Sequence, residues 1–160
     1  MTKSPVRINL ASPQMTADFA VRLGAVLHAG DTLLLDGSIG AGKTHFARSL
    51  IQSLLTIPED VPSPTFTLVQ TYETGLGEIW HTDLYRLSGP HDVMELGLID
   101  AFETAICLIE WPDRLGDLAP DHALTLRLTE GDDEEARLLE ISWTDPTWAD
   151  RLRELINDFA

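Results

Sequence analysis

Gly37-Ser38-Ile39-Gly40-Ala41-Gly42-Lys43-Thr44 decides the reading of this chain. The segment fits G-x-x-x-x-G-K-[ST], the pattern of a phosphate-cradling loop. Thr32-Leu33-Leu34-Leu35 before it is a short apolar run and reads as a buried strand. His45 to Leu55 after it reads as a helix, with Phe46, Leu50 and Leu54 on one face and Ile51 and Leu55 beside it. A chance glycine-rich turn would require neither flank. The strand–loop–helix context therefore marks Gly37, Ser38, Ile39, Gly40, Ala41, Gly42, Lys43, Thr44 and His45 as a candidate phosphate site.

The residue types explain the chemistry. Gly37, Gly40 and Gly42 let the backbone turn tightly and leave a ligand unobstructed. Successive N–H groups then point into one concavity at the positive end of the following helix. Lys43 supplies a point charge for the β- and γ-phosphates, and the Thr44 hydroxyl is a ligand for Mg²⁺.

Charge composition sharpens the assignment. The formal net charge is −15, and the only lysines are Lys3 and Lys43. Lys3 lies at the terminus, so a single lysine is expected in the folded body. That it falls inside a glycine loop of so acidic a chain argues against surface decoration. An Asn-Lys-x-Asp guanine motif is lacking, which makes ATP the expected nucleotide. No Lys/Arg cluster suits a phosphate backbone, so direct nucleic-acid binding by this chain is disfavoured. An acidic surface fits a basic protein partner, or simply solubility.

At 160 residues the chain is expected to form one domain, residues 1–160, with a real core. No apolar run approaches the ~20 residues of a membrane span, and Met1 to Pro5 has no apolar signal core. The lone cysteine, Cys107, excludes an internal disulfide and reads as a small buried hydrophobe. A cytoplasmic location is expected.

The rest of the chain mixes helical crossovers with hairpins. Val6 to Leu10 alternates as a strand, and Ser12 to His28 has helical spacing. Ile57 to Pro64 holds three prolines and reads as a loop; Phe66 to Tyr72 and Ile79 to Asp83 read as a hairpin turning at Gly75–Gly77. One or two short helices, broken at Gly97, are expected over Ser88 to Phe102, then a buried strand over Ala105 to Glu110. Ala123 to Leu128 and Arg137 to Trp143 form a second hairpin. The acidic stretch Glu130 to Glu135 is its solvated loop, with a partner or metal site as the alternative. Thr144-Asp145-Pro146 opens a last helix. The pattern predicts an α/β fold: a mixed β-sheet flanked by helices, built around a P-loop NTPase-like unit.

Two carboxylates complete the candidate site. Glu110 closes the apolar run Ile106-Cys107-Leu108-Ile109, where a P-loop enzyme places an acid near Mg²⁺; a capping or ion-paired glutamate is the alternative. Asp83 ends Ile79-Trp80-His81-Thr82, on the same strand face as His81, where it could order an attacking water or hold a Mg²⁺-bound water; a cap on the turn toward Tyr85 is the alternative. His81 itself reads as structural. Thr65, in Ser63-Pro64-Thr65-Phe66-Thr67, is placed as switch hydroxyls are placed; an ordinary turn explains the loop equally well. Arg48, Arg86 and Arg114 carry no feature that marks an arginine finger, so hydrolysis by the isolated chain is expected to be slow.

Four blocks in this order resemble the TsaE family of bacterial tRNA threonylcarbamoyladenosine biosynthesis ATPases. They are Gly37 to Thr44, Ser63 to Leu68, His81-Thr82-Asp83-Leu84-Tyr85-Arg86-Leu87, and Ile109-Glu110-Trp111-Pro112. The Asp-Leu-Tyr-Arg-Leu and Glu-Trp-Pro blocks are the specific ones, and the resemblance is firm over about residues 30–120. It implies that Thr44 and Glu110 hold Mg²⁺, that Thr65 responds to nucleotide and that Asp83 is needed for hydrolysis. It places Trp111, Thr16 and Arg137 near the nucleotide. It also implies two partners, TsaB and TsaD, with tRNA reached only through the complex and TsaD performing the group transfer. Ser38 and His45 depart from the acidic residue and second threonine common in the family.

The expected function is a Mg²⁺-dependent ATPase serving as accessory subunit of that tRNA-modifying complex. A nucleotide-dependent binding module and a small-molecule kinase are the alternatives. Sparse arginines and short loops weigh against the kinase.

Overall fold

A computed structural model describes residues 4–38 and 40–159. Seven strands form one mixed sheet: β1 (Val6–Leu10), β2 (Thr32–Asp36), β3 (Val69–Thr74), β4 (Gly77–Asp83), β5 (Ile106–Glu110), β6 (Leu124–Glu130) and β7 (Arg137–Ser142). Their spatial order is β1-β7-β6-β2-β5-β4-β3. The central strands β6, β2, β5 and β4 run parallel, and antiparallel pairs close both sides. The mixed sheet with flanking helices expected from the sequence is what the chain forms.

Alternation along the strands separates two cores. Leu33, Leu35, Ile106 and Leu108 face the helices α1 (Pro13–Gly24), α2 (Lys43–Leu54) and α5 (Thr147–Phe159). Leu34, Cys107 and Ile109 face α3 (Pro90–Met94), α4 (Leu98–Thr104) and the 3₁₀ helix η1 (Pro112–Leu118). All five residues of β5 are buried, as a strand covered on both faces requires. Burial, with Glu78 adding to it, pushes the Cys107 thiol up to about 12.

Local signals set the element ends. Ser12 caps α1, its hydroxyl accepting from the Met15 N–H at 3.2 Å, with Pro13 in the first turn. Asp145 caps α5 in the same way, accepting from the Thr147 N–H at 3.0 Å. Gly97, at φ 82°, separates α3 from α4, the break expected there. The loop from Glu130 to Glu135 is exposed throughout.

Two boundaries differ from expectation by three residues or more, and one helix was not expected. Helix α1 stops at Gly24, because Val26 and Leu27 bond to Leu23 and Gly24 in tight turns while their side chains still reach the core. Strand β3 begins at Val69, since the Leu68 N–H bonds back to the Pro64 carbonyl at 2.7 Å and Leu68 adopts φ 68°. The helix η1 begins at Pro112, directly after Trp111, and a proline at the first helical position was available as a signal.

The second strand is anchored from behind. Asp31, 4% exposed, takes a two-pronged ion pair from Arg151 of α5. Arg151 also donates to the Val26 carbonyl at 2.7 Å and lies over the Trp148 ring. Asp31→Ala would leave that guanidinium without its counter-charge; a loss of about 3 kcal/mol is expected, read as a lower urea midpoint at unchanged slope. Cys107 is expected to resist thiol reagents at pH 8 until the chain unfolds, so labelling should track the loss of circular dichroism.

Candidate functional site

Three parallel strands deliver the site to one edge of the sheet. In register, Leu35 of β2 pairs with Glu110 of β5, and Glu110 pairs with Asp83 of β4. The chain turns at Asp36 into the glycine-rich loop and enters α2 at Lys43. A cleft of about 380 Å³ opens between this loop and the strand ends. Gly40, Ala41, Gly42, Lys43, Thr44 and His45 line one side; Thr65, Asp83, Tyr85, Glu110 and Trp111 line the other. Carboxyl ends of parallel strands are where open α/β sheets bind ligands.

The loop needs its glycines for two different reasons. Gly37 sits at φ 145°, and a Cβ there would lie 2.4 Å from the Leu128 carbonyl oxygen of β6. Gly40 and Gly42 have φ 81° and 104°, and the space a Cβ would take at Gly40 is open. One glycine packs the loop against the sheet; the other two turn it. Ile39 lies outside the described residues.

Lys43 is the only lysine among the described residues and is 6% exposed. Its Nζ donates to the Gly37 and Ser38 carbonyls at 2.6 and 3.0 Å and lies 4.2 Å from the Trp111 ring centre. Burial lowers the pKa of this ammonium, and the carboxylates of Glu110, Asp83 and Asp36 oppose the shift. Trp111 holds its place at φ 59°, ψ 56°, a costly conformation for a residue before proline, with the Tyr85 ring 4.7 Å away and tilted by 49°.

Glu110 is 2% exposed. The Thr44 hydroxyl donates to its Oε1 at 2.9 Å, and His81 meets its Oε2 at 2.7 Å. Asp83 is fixed at both oxygens: Oδ1 accepts from the Tyr85 N–H at 2.9 Å, and Oδ2 accepts from the Thr65 hydroxyl at 3.2 Å. Ser63 continues that chain, 2.7 Å from Thr65.

The remaining expected residues are placed less uniformly. His45 lines the cleft and ties α2 to the Pro13 carbonyl at 3.0 Å. Arg137 stands outside the cleft. Its guanidinium donates to the Ala41 and Gly40 carbonyls at 3.0 and 3.4 Å, bracing the loop from β7. Thr16 does not line the cleft; it is buried, and its hydroxyl turns back to the Ser12 carbonyl at 3.3 Å. Arg48, Arg86 and Arg114 are likewise not among the lining residues. Sequence reasoning missed Tyr85 as a lining residue and the contact of His81 with Glu110. The turn cap from Asp83 to Tyr85, read as an alternative to a functional Asp83, is present together with Asp83 in the cleft.

Gly37→Ala separates packing from turning. The clash with β6 is expected to lower the melting temperature more than Gly40→Ala does, which strains only the loop. Calorimetric melts of the two variants would check the contrast.

Comparison with known proteins gives a family and a fold. The family described as "Threonylcarbamoyl adenosine biosynthesis protein TsaE" matches residues 10–139. A relative from Rickettsia bellii, named tRNA threonylcarbamoyladenosine biosynthesis protein TsaE, is 38% identical over 133 residues, 83% of this chain and 92% of the relative. Proteins of the same name from a Nostoc species and from Bacillus subtilis are 38% and 32% identical, covering 85% and 79% of each chain. The crystal structure of Bacillus subtilis YdiB superposes with a TM-score of 0.78 at 23% identity, over 99% of this chain and 98% of that one, which supports the fold. Matched along most of its length by family and relatives alike, the chain belongs to the TsaE family.

Proposed function

We propose that this chain is a Mg²⁺-dependent ATPase that acts as an accessory subunit in threonylcarbamoyladenosine modification of tRNA. Family membership supports the pathway. The observation that carries the ATPase reading is the 2.9 Å hydrogen bond from Thr44 to Glu110, beside Lys43 and at the mouth of a glycine loop. A hydroxyl and a carboxylate side by side are the hard oxygen donors that suit Mg²⁺. The open space beside Gly40 suits a phosphate approaching the loop backbone.

In this reading Thr44 and Glu110 would hold the metal, which would supply positive charge to offset that of the phosphates. The backbone from Gly40 to Thr44 cradles the phosphates, and Lys43 neutralises the β/γ bridge. Asp83 accepts a hydrogen bond from the attacking water and aligns its oxygen with the γ-phosphorus. As that P–O bond forms, the bond to the β–γ bridging oxygen breaks, giving ADP and phosphate. Thr65 reports γ-phosphate loss to its loop through Asp83. Trp111 and Tyr85 form an aromatic wall beside the phosphates. The proposed partners are TsaB and TsaD, with tRNA engaged only through them, and the proposed location is the cytoplasm. Among the described residues no helix is long and apolar enough to cross a membrane.

The lack of an arginine among the lining residues favours a second reading, in which nucleotide state controls docking and hydrolysis is incidental. Asp83→Asn, made to bind ATP without hydrolysing it, distinguishes the two: full tRNA modification over repeated turnovers would favour the docking module.

ATP hydrolysis by the purified chain, alone and with TsaB and TsaD, tests the main reading. Stimulation by the partners is expected, with a loss of at least about 100-fold in Lys43→Ala and in Glu110→Ala. Equal hydrolysis in every mixture would overturn the accessory assignment; undiminished Mg²⁺-dependent turnover in Glu110→Ala would overturn the metal site.

A further inference from the structure

His81 is a fully buried histidine with a single hydrogen bond. Its Nε2 lies 2.7 Å from Glu110 Oε2, and its Nδ1 has no partner among the described residues. A carboxylate oxygen accepts, so the imidazole donates from Nε2. This bond is the closest that Glu110 makes; the Thr44 hydroxyl reaches Oε1 at 2.9 Å and Oε2 only at 3.2 Å. The two partners therefore divide the carboxylate. His81 holds one oxygen, and the other is left facing Thr44.

The sheet fixes this division. His81 lies on β4, which runs parallel to β5 and pairs His81 with Leu108 and Asp83 with Glu110. The imidazole thus reaches diagonally forward to a side chain on the same face. A glutamate has three rotatable side-chain bonds, so an unsupported carboxylate at the strand end would sample several orientations. An imidazole with no exposed surface has no such freedom.

We infer that His81 is a positioning residue that locks the Glu110 carboxylate so that Oε1, together with the Thr44 hydroxyl, is presented to a divalent cation. The inference rests on the Mg²⁺–nucleotide reading above and adds to it the group that orients the metal-binding carboxylate. Groups that hold a ligating carboxylate from behind carry a measurable share of metal affinity.

The test uses the full chain, with ADP and Mn²⁺ as the spectroscopic substitute for Mg²⁺. Bound Mn²⁺ is counted by electron paramagnetic resonance in wild type, His81→Leu and His81→Gln. Leucine keeps the apolar bulk without a donor; glutamine carries an N–H at the reach of Nε2. The expected result is a Mn²⁺ affinity weakened at least about 10-fold in His81→Leu and restored to within about 3-fold in His81→Gln, with metal-free ADP binding unchanged in both. Wild-type affinity in His81→Leu, or an equal loss in both variants, would overturn the positioning role. No ADP-dependent Mn²⁺ binding by the wild type would overturn the nucleotide reading itself. A measurement on the unaltered protein is independent of how the variants fold. Nitrogen-15 correlation spectra of the histidines should show the His81 proton on Nε2, and a proton found only on Nδ1 would overturn the proposal.

Discussion

A buried carboxylate governs this molecule. Glu110 sits at the end of a strand covered on both faces, where a lone negative charge would cost several kilocalories per mole. Its neighbours offset that cost: a hydroxyl from α2, an imidazole from β4 and the ammonium of Lys43 nearby. They come from two elements, α2 and β4, so the carboxylate is accommodated only when both flank the end of β5, with β4 in its observed register. The condition that stabilises the acid is also the condition that assembles the cleft.

The surrounding loops serve the same edge. Gly37 lets the loop touch β6, and Arg137 reaches across from β7 to hold the loop carbonyls. On the other side, the turn from Pro64 to Leu68 coils where a strand was expected, and this brings Thr65 to Asp83. Phe66, at the tip of that turn, is 84% exposed with the Arg86 guanidinium over its ring. An aromatic side chain held in solvent beside the cleft is coupled to it through one hydroxyl–carboxylate bond.

Much of this was legible in the sequence because it is local. The glycine loop, its strand and its helix are contiguous, and an apolar run ending in Glu110 announces a buried strand with an acid at its tip. The hairpins and the break at Gly97 follow from turn chemistry within a few residues. The strand order does not, since β1 meets β7 and β2 meets β6 only through pairings far apart in the chain. The same limit hid the roles of His81 and Arg137, whose partners are 29 and 96 residues away. The start of β3 was misplaced for another reason. Phe66 and Leu68 have strand-forming side chains, but the hydrogen bond to Pro64 and the left-handed Leu68 override that propensity.

The isolation of Lys43 bears on how this protein can be handled. Apart from Lys3, it is the sole primary amine on any side chain of the sequence. Amine-directed acylation therefore has one internal target, and that target is bonded to two carbonyls beneath an indole ring. Lysine-to-lysine cross-linking would report little about contacts this chain makes with another protein. Reagents aimed at the abundant surface carboxylates suit it better. An electrophile sized to the cleft would meet a single amine, which makes the loop lysine an address for covalent tagging.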